Sequence, residues 1–185
     1  MDTYTLPEGV SVTFYIRRSR KAKRTRLQMN PEGQVLVTLP LYATRESAVA
    51  AMRERAPWIS RQLTRLQSLT VFAYDTWDEY YARKSDAYEL AMHLIAQYAP
   101  LLGLSIPVVR IRNTKSRWGS CSGNGHIMLN YRIVKLPESV AAYLVVHELC
   151  HLTYAGHSSQ FWQCVASCMP DYREHHATLQ QYVIR

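Results

Sequence analysis

The stretch VVHELCHLTYAGHSSQFW (residues 145–162) constrains this chain more than any other. It continues the apolar run VAAYLVV (140–146), and a helix that is apolar on every side has to be buried. Burying imidazoles and carboxylates is costly unless they are paired or bound to a metal. Yet His147, Glu148, His151 and His157 follow directly from that run. Any fold for this chain must therefore place the helix in its core and give the ionisable groups at its end a partner.

The spacing names the partner. HELCH is an HExxH pattern, and on a helix His147 and His151 lie four residues apart, so both imidazoles project from one face toward one ion. Glu148 stands beside them, placed to take a proton from the water that such an ion activates. His157 is the expected third ligand, at the same distance from His151 as in the HExxHxxGxxH pattern of metzincins. Gly156 precedes it directly and makes a turn available, with a geometry different from theirs. Asp171 and Glu174 are alternative third ligands. A structural zinc closes its fourth position, usually with cysteine, but Cys150 points away from the histidine face. Three histidines with a flanking glutamate favour a catalytic ion.

The remainder of the chain gives this helix a setting. At 185 residues there is length for one domain with a real hydrophobic core. MDTYTLPEGV has no basic region followed by an apolar core, and no apolar run approaches bilayer length, so a cytoplasmic protein with no membrane partner is expected. The four cysteines (Cys121, Cys150, Cys164, Cys168) are then reduced packing thiols. The net charge of +8 is concentrated in RRSRKAKRTR, where Arg17, Arg18, Arg20, Lys21, Lys23, Arg24 and Arg26 lie within ten residues. Such a patch either keeps an edge hairpin soluble or holds phosphates.

Residues 10–39 alternate like strands, with NPEG as a turn, and predict an antiparallel β-meander. Helical patterns follow from Thr44, divided near Pro57, and again from Glu79 to about Leu102. IPVVRIRN and GHIMLNYRIV read as strands, and PESVAAYLVVHELCHLTYAGH, SSQFWQCVASCM and DYREHHATLQQYVI as helices. The expected class is α+β: residues 1–185 as a single domain, with a β-rich subregion over 1–42 and a catalytic core over 79–185.

KSRWGSC, IMLNYRIVKLP and VVHELCHLTYAGHSSQFW together resemble the YgjP-like family of predicted zinc metallopeptidases, related to the SprT-like and WLM groups. The likeness extends over most of the chain, including PWI (57–59) and MPDY. It implies a zincin-like fold with a small sheet beside the metal helix and C-terminal helices. It also implies one zinc per chain on His147, His151 and His157, with Glu148 as catalytic base. The stretch 68–78 departs from the family in lacking glycine and looking short. Some relatives are labelled peptidases and some nucleotide pyrophosphatases. The expected function is zinc-dependent peptide-bond hydrolysis. The alternatives are a nucleotide phosphohydrolase using the same metal site and a nucleic-acid-associated zinc protein. A peptide or protein is the expected partner, with a nucleotide or nucleic acid as the alternative. Among candidate substrate residues, Arg117 would stabilise negative charge on oxygen, and Asn130 and Tyr131 would face a peptide docked along IMLNYRI, the strand expected nearest the helix. Gly119 would supply a tight turn, Trp118 would anchor it, and Phe161 and Trp162 would pack the ligand helix in place.

Overall fold

The alternation in the first forty residues does produce strands, β1 (Asp2–Thr5), β2 (Ser11–Arg18), β3 (Arg26–Met29) and β4 (Val35–Leu39). The computed structural model describes residues 2–73 and 77–184. It divides into two units, one ending at Leu69 and the other starting at Thr70. In the first unit the strand order is β1-β2-β4-β3. The expected antiparallel meander is corrected here: β3 and β4 do form an antiparallel hairpin, but β4 lies beside β2 and runs parallel to it. The physical reason is apolarity. Val35, Val37 and Leu39 are fully buried, so β4 takes an interior position, while β3, carrying the end of the basic run, is displaced to the edge. Helix α1 (Arg45–Glu54) is capped by Thr44, whose hydroxyl accepts from the Ser47 N–H, and Pro57 sits in the first turn of α2 (Ala56–Gln67). Ala48, Met52, Ala56 and Ile59 complete this unit's core with Val12 and Phe14. The β-rich region is thus the front of a larger unit that includes both helices.

The second unit opens with β5 (Thr70–Phe72), which pairs in parallel with β9 (Tyr182–Ile184). Helical continuation was expected to the end of the chain, but Tyr182, Val183 and Ile184 pair as a strand instead. Phe72 stacks on Tyr182 with ring centroids 5.9 Å apart. The expected glycine-free connector over 68–78 therefore contains a strand; its residues 74–76 lie outside those described. Helix α3 (Trp77–Tyr98) leads to a 3₁₀ turn at Pro100–Leu102, closed by Gly103 in the left-handed region (φ +66°). A three-stranded sheet follows, built from β6 (Val108–Arg112), β7 (Gly119–Cys121) and β8 (His126–Asn130) in the order β6-β8-β7. β8, which carries IMLN, is therefore central and paired on both sides, with β7 at one edge, while Tyr131–Lys135, expected to extend that strand, forms a 3₁₀ turn instead.

Helix α4 (Glu138–Cys150) is buried on nearly every face, as its uninterrupted apolar run requires. It packs with Ala87, Ala91, Leu94 and Ile95 of α3, Ile127 and Leu129 of β8, and Phe161 and Val165 of α5 (Ser159–Cys168). Helix α6 (Tyr172–Leu179) precedes β9. All four cysteines are free thiols, with Cys150 and Cys164 in sulfur contact at 2.9 Å. Among the described residues no helix is long and apolar enough to cross a membrane.

Candidate active site

His147 lies in the last turn of α4 and His151 caps it, its N–H bonded to the His147 carbonyl. One further turn follows, closed by the Tyr154 N–H on the Cys150 carbonyl, and the chain then doubles back to His157. Gly156 does not use the left-handed region for this reversal. Ser158 starts α5 immediately afterwards, its hydroxyl accepting from the Phe161 N–H. Phe161, fully buried, stacks on His151 at 4.5 Å, and Trp162 stacks on His157 at 5.6 Å. Both aromatic residues hold these imidazole rings in place, as their positions in the sequence suggest.

The three imidazoles converge through their Nε2 atoms. His147 Nε2 is 3.2 Å from His151 Nε2 and 3.1 Å from His157 Nε2. Three nitrogens bound tetrahedrally at about 2.0–2.1 Å from a divalent ion would stand about 3.3–3.4 Å apart. The residues present therefore fit a metal, and together they form a group able to hold one. The tautomer suits it as well: His151 Nδ1 is 2.9 Å from the Tyr154 carbonyl, which can only accept, so the proton is on Nδ1 and Nε2 is free. Burial, followed by the neighbouring rings of His151, His157 and His176, drives the His147 pKa down to about 3, so His147 is a neutral donor at any ordinary pH. Asp171 pairs with His175 at 3.1 Å, and neither it nor Glu174 joins the cluster.

Glu148 is 5 % exposed, and burial pushes its pKa up to about 7. Its Oε2 has no hydrogen-bond partner among the described residues. A buried carboxylate oxygen left unpaired is costly, and carboxyl groups perturbed in this way concentrate at functional sites. The room comes from Gly119. A Cβ on Gly119 would stand 2.5 Å from Glu148 Oε1 and 2.8 Å from its Cδ. Gly119 is thus needed for close approach rather than for the tight turn expected of it, since its φ is not positive. Gly119→Ala is expected to displace the carboxylate and cut turnover by about 100-fold or more while thermal unfolding stays cooperative; a steady-state assay beside a melting curve checks this.

The carboxyl also leaves a signature on stability. With metal chelated away, folded Glu148 titrates near 7 but at 4.5 when unfolded, so between those values the fold holds a proton that the unfolded chain has released. The stabilisation present below pH 4.5 is lost as pH rises through 7. His147 acts oppositely: its ordinary value of 6.5 falls to about 3, so the unfolded chain gains protons, and the fold weakens, as pH drops below 6.5. In chelated protein, Glu148→Gln should gain on the order of 3 kcal/mol on the wild type between pH 4.5 and pH 8, measured by denaturant midpoints at both.

These groups open on a cleft of about 520 Å³, lined on one side by Gly119–Gly123 and on the other by His147, Glu148, His151, Ala155 and His157. Among the described residues no lysine or arginine lines it. The structure does not bring the three candidate substrate residues there. Asn130 is fully buried: its amide N–H groups donate to the Thr114 carbonyl and hydroxyl and to the Arg117 carbonyl, and its Oδ1 accepts from Arg132. Tyr131 is fully buried against Tyr80. Arg117 is exposed, and only its carbonyl is used in holding the loop. Trp118 does anchor that loop, donating from Nε1 to the Tyr182 carbonyl at 3.1 Å and packing edge-on against Phe72. The basic residues Arg17 to Arg26 belong to the other unit, where Arg17 bonds the Thr38 hydroxyl.

Two contributors had escaped the sequence reading. Tyr143 touches His147 Nδ1, and its position one turn earlier on the same helix stripe was a usable signal. His176 reaches Tyr143 from α6, and nothing local in the sequence marks it.

Three imidazoles and a buried carboxylate sharing one cleft are the arrangement that metal-dependent hydrolases use to activate water. The chain belongs to the YgjP-like family, whose metallopeptidase domain matches residues 76–182, more than half of the sequence. Among solved structures it is similar to that of the metallopeptidase zymogen of Pyrococcus abyssi, abylysin. The two share 30% identity, with 54% of this chain and 99% of that one covered and a TM-score of 0.44. No curated protein matches the chain.

Proposed function

We propose that the chain is a zinc peptidase that hydrolyses peptide bonds in an extended segment lying along β7. One observation carries the reading: the three converging Nε2 atoms and the Glu148 side chain belong to the same cleft, whose opposite wall is a strand at the edge of its sheet. His147, His151 and His157 hold the ion. Bound there, zinc would supply Lewis acidity and lower the pKa of water to about 7. The Glu148 carboxylate would take a proton from water and return it to the leaving amine. Backbone groups of Gly119–Cys121 that are not used in pairing with β8 are available to hold the substrate main chain as an added strand.

The lining supports a peptide over a polyphosphate. Polyphosphates are held best by cationic side chains, and the described lining is instead glycine, serine, cysteine, alanine, histidine and Glu148. The reading places the enzyme in the cytoplasm, acting on peptide or protein. It is tested with a fluorogenic peptide library. Turnover should vanish on chelation and return with zinc. Zinc-restored release of pyrophosphate from nucleotides, without peptide cleavage, would sink the reading.

A further inference from the structure

We propose that Tyr143 and His176, backed by Gln180, are positioning residues: a directed hydrogen-bond chain that fixes His147 in the tautomer presenting Nε2 to the metal. The inference rests on the zinc reading above and deepens it. Tyr143 is 1 % exposed, and its hydroxyl lies between two ring nitrogens, 3.3 Å from His147 Nδ1 and 2.8 Å from His176 Nδ1. The other nitrogen of His176 is 2.7 Å from the Gln180 amide nitrogen. Trp162, itself stacked on Tyr172, meets the His176 ring edge-on at 5.9 Å.

Counting protons gives the chain its direction. His147 turns Nε2 toward the other two ligands, so its single N–H is on Nδ1 and donates to the Tyr143 oxygen. The hydroxyl has one proton, and it goes to His176 Nδ1, the nearer ring. Nδ1 of His176 therefore accepts, the proton of this neutral ring is on Nε2, and Gln180 meets it with its amide oxygen. That requires a half-turn of the amide, whose two faces have the same shape.

His151 needs no such chain, because a carbonyl can only accept. A hydroxyl can donate or accept, so Tyr143 alone leaves the His147 tautomer open. His176 closes it by claiming the hydroxyl proton.

Two measurements test this. The first is zinc affinity, by competition with a chromophoric chelator, for the wild type, Tyr143→Phe, His176→Ala, His176→Asn and the double variant Tyr143→Phe/His176→Ala. The single losses should weaken binding about 10- to 100-fold. His176→Asn should recover most of it, because an amide oxygen can stand where Nδ1 stood. The double variant should bind no more weakly than Tyr143→Phe, since the groups act in series. A merely structural role would give additive losses and no rescue. The second uses unsubstituted protein and so stands even if a variant misfolds: ¹⁵N NMR of the zinc-loaded chain should show His176 as the Nε2–H tautomer. Wild-type affinity in both single variants, or an Nδ1–H tautomer, would overturn the chain while leaving the zinc site intact. Failure of the wild type to take up zinc would overturn the zinc reading and the chain together.

Discussion

Glu148→Gln is expected to abolish turnover while the metal stays bound. The substitution keeps the shape of the side chain in a pocket where Gly119 leaves no room to spare. What it removes is the carboxylate's basicity, in a side chain whose Oε2 has no hydrogen-bond partner among the described residues. General acid–base catalysis contributes about 10²–10⁴-fold, and in the proposed mechanism one carboxylate serves both proton transfers, so a loss near or above 10³-fold is expected. Zinc content and melting temperature of the loaded protein should match the wild type. Retention of more than a tenth of the activity would remove Glu148 from the chemistry, whatever the metal content.

His157→Ala should have the other large effect, this time on the ion. His147 and His151 share one rigid helix end, whereas His157 arrives from the returning chain and completes the set. Two imidazoles leave half of a tetrahedral shell to water, and metal content should fall from about one zinc per chain to near zero after dialysis. Elemental analysis reads this directly. Because His157 is exposed, its loss leaves the core intact, and the variant should fold with wild-type circular dichroism. Equal zinc in variant and wild type would remove His157 from the ligand set.

The parts of this molecule that were legible from sequence are those encoded over one or two helical turns. The i, i+4 spacing placed His147 and His151 on one face, and the apolar run before them announced a buried helix. The α+β class followed from the order of periodicities. Pairing partners were less legible. β2 and β4 meet in parallel because β4 is apolar enough to be interior, a comparison between segments that alternation within one segment does not contain. The same limit misplaced Asn130 and Tyr131: IMLNYRI reads as a strand, but only the position of Gly119–Cys121 at the sheet edge shows that another strand faces the cleft. The reason for Gly119 lay in the tertiary distance to Glu148 rather than in any turn. His176 was invisible because its partner lies 33 residues earlier in the chain.

The pairing of β5 with β9 has a consequence for how the protein is made. Trp118, which anchors the loop before β7, donates to the carbonyl of Tyr182 in β9. On the ribosome, a nascent chain that has already released HELCH still lacks the strand that steadies the opposite wall of the cleft, and contacts of such sequence separation form late. The anchor of the β7 loop is therefore completed only when the segment Tyr182–Ile184 has emerged, well after His147 and His151.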